Sequence, residues 1–245
     1  VLMTLLLWGG GVVSQTTPMY SQYRFDGLAI NPAFAGANDA LSFNFIHRSQ
    51  WIGIENAPST STFLMHGPLW NNRIGLGLNL SADKVGIDSR FSLTGNYAYR
   101  FHFQKSILAL GLNGGISYYN VKWGTLDAAQ SGDVAFPNNG ESRMVPSFGA
   151  GLYYYSQRFF FGLSVPRLLN ESEISDSGET TFYNQNRHYF LTSGILINFA
   201  EIFQFEPSFL VKYVHNVPAQ IDMNASFKLY DIVWFGLTYR TNNSY

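Results

Sequence analysis

From Leu41 onward apolar residues recur at every second position, and nowhere do they run on for the ~20 residues that a membrane-crossing helix needs. Between Arg90 and Phe101 one face reads Phe91, Leu93, Gly95, Tyr97, Tyr99 and Phe101, and the other reads Arg90, Ser92, Thr94, Asn96, Ala98 and Arg100. The same split sets Leu108, Leu110, Leu112, Ile116 and Tyr118 against Ala109, Gly111, Asn113, Gly115 and Ser117. It recurs in Ile221, Met223, Ala225, Phe227 and Leu229 against Asp222, Asn224, Ser226 and Lys228. A strand sends successive side chains to opposite faces, so one face of each segment suits lipid and the other water. A soluble sandwich alternates too, and composition separates the two. Charged residues make up 13 % of the chain, about half the roughly 25 % of soluble domains, while aromatics reach 17 %. Tyr97, Tyr99 and Phe101, or Tyr118, Tyr119 and Trp123, gather toward segment ends, as in the aromatic girdles at the two lipid interfaces of a barrel. The fold class read from this pattern is all-β, an antiparallel transmembrane outer-membrane β-barrel.

About eleven such segments follow one another, near 41–48, 58–68, 73–81, 89–101, 105–119, 146–156, 158–165, 188–199, 203–214, 218–229 and 231–241. Short connections follow the even ones, at Gly67 to Asn72, His102 to Gln104, Ser156 to Gln157, Ala200 to Ile202 and Tyr230. Longer loops follow the odd ones, including Asn120 to Val145 and Pro166 to Arg187, both rich in Gly, Asn, Ser and Asp. Bacterial barrels combine short periplasmic turns with long outer loops, and a chain that starts in the periplasm shows this parity. They also close with an even number of strands, because an open edge in lipid leaves backbone groups unsatisfied. The expectation is therefore a barrel over 41–245 that is C-terminally incomplete.

Residues 1–14 read as a partial signal peptide: an apolar run ending in Val12 and Ser14, with cleavage expected before Gln15. Residues 15–40 break the alternation and read as a periplasmic or plug segment, with Asn31-Pro32 as its turn. The net charge of −1 offers no basic field for nucleic acid, and the absence of cysteine removes disulfide and thiolate chemistry. His47, His66, His102, His188 and His215 fall in different segments without metal-ligand spacing, and no nucleophile elbow, phosphate loop or dinucleotide fingerprint is present. No catalytic, cofactor-binding or metal site is assigned, and a non-enzymatic protein is expected. Gly111 to Gly115 sit inside a strand, where glycine permits curvature or close contact. The inward charges Arg90, Arg100, Asp222, Lys228 and Arg240 can line a channel or neutralise one another and fill it.

Three co-linear stretches carry a resemblance. They are Gln15-Thr16-Thr17-Pro18-Met19-Tyr20-Ser21-Gln22-Tyr23, then Ile30-Asn31-Pro32-Ala33-Phe34-Ala35-Gly36, then Arg48-Ser49-Gln50-Trp51-Ile52-Gly53. They resemble the PorP/SprF family of type IX secretion system membrane proteins, as do His66-Gly67-Pro68-Leu69, Gly75-Leu76-Gly77-Leu78 and Asp83-Lys84-Val85-Gly86. The resemblance runs from Gln15 to the end. It implies a barrel of about 14 strands in all, working beside the machine that moves proteins with a C-terminal sorting domain to the cell surface. Expected partners are such cargo, often gliding adhesins, other secretion-system components and outer-membrane lipid, with no cofactor and no catalytic residues. The runner-up reading is an outer-membrane channel for small solutes. The motif positions that transfer as partner-binding candidates are Tyr20, Ser21, Gln22, Tyr23, Asn31, Pro32, Gly36, Arg48, Gln50, Trp51 and Gly53. By parity Arg48 to Gly53 falls in the first outer loop, where Arg48 and Trp51 are either partner anchors or, with Gly53, a structural corner at the lipid interface.

Overall fold

A computed structural model describes residues 27–54, 56–121, 141–169, 187–199, 202–215, 217–230 and 232–241. The expected signal peptide, the Tyr20 to Tyr23 motif and the bodies of the two longest loops lie outside the described residues. Period-two alternation becomes strand throughout: β1 (Ser42–Ser49), β2 (Ser59–Leu69), β3 (Ile74–Val85), β4 (Asp88–His102), β5 (Ser106–Val121) and β6 (Glu141–Ser156). There follow β7 (Phe159–Val165), β8 (His188–Ile195), β9 (Ile197–Asn198), β10 (Phe203–Val214), β11 (Val217–Leu229) and β12 (Val233–Arg240). All belong to one sheet, ordered β1 to β8 and then β10 to β12, with each strand antiparallel to its neighbours. Among the described residues β1 and β12 form its edges. Among the described residues no helix is long and apolar enough to cross a membrane.

The ladder follows the sequence-derived segments, and β9 is the tail of the eighth segment after a break. Gly194 pairs with Ser208 and Ile197 with Phe205, which sets Ile195 opposite Pro207. Proline has no N–H to give the ladder, and the next amide, of Leu196, donates instead to the Arg158 carbonyl at 2.7 Å.

Three expectations need correction. The third segment was expected to end at Ser81 before a longer loop, yet β3 continues through Asp83-Lys84-Val85 and pairs Val85 with Asp88. Only Gly86 and Ile87 connect it to β4, with Gly86 at φ 59°, the left-handed backbone that a two-residue hairpin requires. Parity therefore fails at this connection. Arg48 was expected in the first loop, but it lies in β1 opposite Thr60, so the loop starts at Gln50. The connection between β5 and β6 is also shorter than the expected Asn120 to Val145, since pairing resumes at Glu141 with Val121.

The outward face is apolar, with leucines at mid-height and aromatics toward both ends. Leu76 and Leu112, level with Tyr97, are flanked by Tyr99, Phe101 and Phe103 toward the short turns and by Phe91 and Tyr118 toward the long loops. The inward face buries Ser81, Arg90, Ser92, Asn96, Arg100 and Ser117. Curvature follows from one short segment ahead of β1. Leu28 packs with Leu64 of β2 and Ala98 of β4, Ile30 packs with Leu210 of β10, and Asn31 reaches β6. A flat sheet could not touch all of these strands with so few residues.

Candidate functional site

The segment before β1 makes two single-turn 3-10 helices, Gly27–Ala29 and Pro32–Phe34. Asn31 caps the second. Its Oδ1 accepts the Ala33 amide at 3.0 Å, and Pro32 follows at the first helical position, where a missing N–H costs nothing. The same side chain donates from Nδ2 to the Leu152 carbonyl of β6 at 3.0 Å. Ser164 Oγ of β7 donates to the Ile30 carbonyl at 2.7 Å, and the Gly36 amide donates to His66 Nδ1 of β2 at 3.0 Å. Phe34 meets the rings of His66 at 5.6 Å and Tyr153 at 5.2 Å.

Under this segment the wall is cut back to backbone. Gly75, Ala98, Gly111 and Gly151 stand in register on β3, β4, β5 and β6, all on the inner face. A Cβ on Gly75 would overlap the Ala35 carbonyl, one on Gly111 the Ala33 amide, and one on Gly151 the Asn31 side chain. Gly36 lies at φ 76°, and a Cβ there would come within 3.0 Å of the Gly75 Cα. Asn31-Pro32-Ala33-Phe34-Ala35-Gly36 thus crosses the strands in a trough made by missing side chains. Replacing Asn31 by Ala removes the cap and the bond to Leu152 together. The expected loss is about 2 kcal/mol, read as a lower denaturant midpoint of the full-length protein in micelles.

The segment leaves the interior at Asp39. There Arg100 Nη2 on β4 pairs with the Asp39 carboxylate and bonds Tyr155 OH on β6 at 2.5 Å. The other inward charges behave similarly. Asp222 accepts Arg240 Nε at 2.7 Å and Nη2 at 2.8 Å, and Arg90 lies 5.0 Å from the centre of the Tyr119 ring while its Nε donates to Ser92. Neutralisation describes Arg100 with Asp39 and Arg240 with Asp222, whereas Arg90 is held by a ring and a hydroxyl.

Two cavities flank the crossing segment. Toward the long loops one is lined by Asn79, Ser92, Asn96, Asn113, His188, Lys212 and Arg240, among others, and floored by Leu28, Ala29, Ile30 and Pro32. Toward the short turns another lies between Phe34, Tyr153, Phe160, Thr192 and Glu206. Among the described residues no set of His, Asp and Glu converges as a metal site.

At the long-loop end the β1 to β2 connection turns through Trp51 at φ 50°, Gly53 at φ 96° and Asn56 at φ 58°. The Gln50 amide bonds the Pro58 carbonyl at 3.0 Å, and the Gly86 amide of the neighbouring hairpin bonds the Asn56 carbonyl at 3.1 Å. Trp51 is 68 % and Ile52 90 % exposed, with Ile54 exposed beside them.

The family model of the type IX secretion system membrane protein PorP/SprF matches residues 12–245. The chain belongs to this family. No curated protein and no solved structure matches it.

In this PorP/SprF chain the motif positions fall into separate places. Asn31, Pro32 and Gly36 come together in the trough, whereas Arg48, Gln50, Trp51 and Gly53 stand at the far end of β1. The structure does not bring these two groups together, and Tyr20 to Tyr23 lie outside the described residues. Sequence reasoning missed Asp39, Tyr155, Ser164 and the trough as a unit, although it read curvature or close contact at Gly111 and a family stretch at Gly75. Their signal was present only as small residues on inward positions, and it became legible once strand register aligned Gly75, Ala98, Gly111 and Gly151.

Proposed function

We propose that this type IX secretion membrane protein is an outer-membrane barrel that holds secreted client proteins at the cell surface and catalyses no reaction. The observation that supports this most is the occupied interior: the Asn31 to Gly36 segment fits a trough shaped for it, so the interior at that level is filled by the chain itself. A filled barrel works through its rim and loops rather than as a conduit. Client proteins with a C-terminal sorting domain, adhesins of gliding among them, are the partners on this reading, with the secretion machinery and outer-membrane lipid as its surroundings. A signal peptide ahead of Gln15 would deliver the chain to that membrane. The short-turn end then faces the periplasm and the long-loop end the exterior.

Cross-linking in the native outer membrane, followed by mass spectrometry on the tagged full-length protein, tests this. Recovery of one large surface protein through its sorting domain is the expected result. Recovery of the barrel alone, with ion conductance in planar bilayers, would replace client holding with solute passage.

The Trp51 loop offers a narrower check. Because the Trp51 ring is mostly exposed, truncation to Ala should change barrel stability by no more than about 0.5 kcal/mol. Its loss should instead lower client recovery at an unchanged barrel level. A fall in barrel abundance would assign Trp51 to a structural corner.

A further inference from the structure

We propose that the cavity at the long-loop end binds an extended acidic polypeptide segment. The proposal rests on the client-holding reading and gives its contact a chemistry. Asn96 of β4 and Asn113 of β5 face each other in register and both line the cavity. Asn96 is only 5 % exposed, and its Nδ2 has no partner among the described residues; Asn113 donates to the Pro166 carbonyl at 3.4 Å while its Oδ1 has none among them. A buried polar atom without a partner is costly, and here an unmatched donor stands beside an unmatched acceptor. A peptide group, with one C=O and one N–H, complements that pair. Ser81, Thr94, Ser117 and Ser147 extend the same wall with hydroxyls that both donate and accept.

The opposite wall supplies charge. Arg167, Lys212 and Arg240 line the cavity against Asp222, whose two oxygens already take the Arg240 guanidinium. Cations gathered in a recess raise the local concentration of carboxylates. An anionic glycan is the competing ligand, but Phe190 is the aromatic lining residue and packs against Ile30 instead of offering a free platform for a sugar face. Amide-matching on one wall and excess positive charge on the other favour a peptide that carries Asp or Glu.

The test uses the full-length protein in micelles and a fluorescein-labelled octapeptide of alternating Ser and Glu, followed by anisotropy. The Ser-Glu peptide should bind, and its Ser-Gln counterpart should bind about tenfold more weakly, the scale of one hydrogen bond to a charged group. Asn113→Asp, nearly unchanged in shape but now repelling carboxylates, and Lys212→Gln should each weaken the acidic peptide by a similar factor. Heat-dependent gel mobility verifies that both variants are folded. Equal binding of the two peptides, unaltered binding by folded Asn113→Asp and Lys212→Gln, or binding of a hyaluronate tetrasaccharide in place of the peptide would overturn the proposal. Client recovery from cells by the unmodified protein reports on client holding by itself, so the two ideas fail separately: clients still captured by Asn113→Asp would leave holding intact and remove the cavity from it.

Discussion

Replacing Gly111 by valine should expel the Asn31 to Gly36 segment from the barrel interior while leaving the wall in place. The Gly111 hydrogen points at the Ala33 amide and the Pro32 carbonyl carbon, backbone atoms that cannot rotate away as a side chain would. Overpacking a close-fitted interior typically costs 1–3 kcal/mol, and a branched side chain driven into backbone belongs at about 3 kcal/mol. Bonds that seat the segment, from Asn31 to Leu152 and from Ser164 to Ile30, are stretched by the same displacement. Gly95, on the neighbouring strand β4, is the control: it faces outward, and a Cβ there would meet only the Gly114 carbonyl oxygen at 3.7 Å. Gly95→Val should be neutral or slightly favourable, since a β-branched residue suits a strand better than glycine. The chain has no cysteine, so Leu28→Cys provides a single buried thiol on the segment. Maleimide should label it slowly alone or with Gly95→Val, and many times faster with Gly111→Val. Equal protection in all three would mean that the small size of Gly111 is not what seats the segment.

Why sequence reading reached the wall and not its filling follows from the range of each signal. Alternation is local, so Phe91 against Arg90 or Leu110 against Ala109 could be sorted without knowing which strand neighbours which. Turn chemistry is also local, and it misled where Asp83 and Lys84 looked like loop: Asp83 points inward opposite Arg90, and charge on an inner face does not end a strand. The trough is a different kind of fact. Gly75, Ala98, Gly111 and Gly151 lie far apart in sequence and form a belt only through a register fixed by four paired strands. Family resemblance marked Asn31, Pro32 and Gly36 without saying what they touch. Asp39 and Tyr155 carried no motif at all, because an ion pair that joins a pre-barrel segment to two strands has no local pattern to read.

That ion pair makes the second large effect, and its asymmetry is the informative part. Removing Asp39 should cost more than removing Arg100. The Arg100 side chain is wholly inaccessible, whereas the Asp39 side chain is 53 % exposed. Among the described residues, Asp39→Ala leaves a guanidinium inside the barrel with Tyr155 as its remaining bonded neighbour and with Nε and Nη1 already lacking partners. Breaking a buried pair from one side typically costs 3–5 kcal/mol, and the half-exposed partner here places the loss at about 3 kcal/mol. Arg100→Met removes the charge that needs company, fills similar space along the stem, and leaves a carboxylate that water can reach, for a loss of about 1 kcal/mol. The double variant should fall near Arg100→Met rather than at the sum, because residues in direct contact do not contribute additively. Urea unfolding in micelles, followed by tryptophan fluorescence, measures all four proteins. A larger loss for Arg100→Met than for Asp39→Ala would show that the arginine stem's packing, not its charge, holds the exit of the segment. In the expected order, Asp39→Ala should also speed labelling at Leu28→Cys, since Asp39 ties the segment to β4 and β6 where it leaves the barrel, and less so than Gly111→Val, which removes the seat itself.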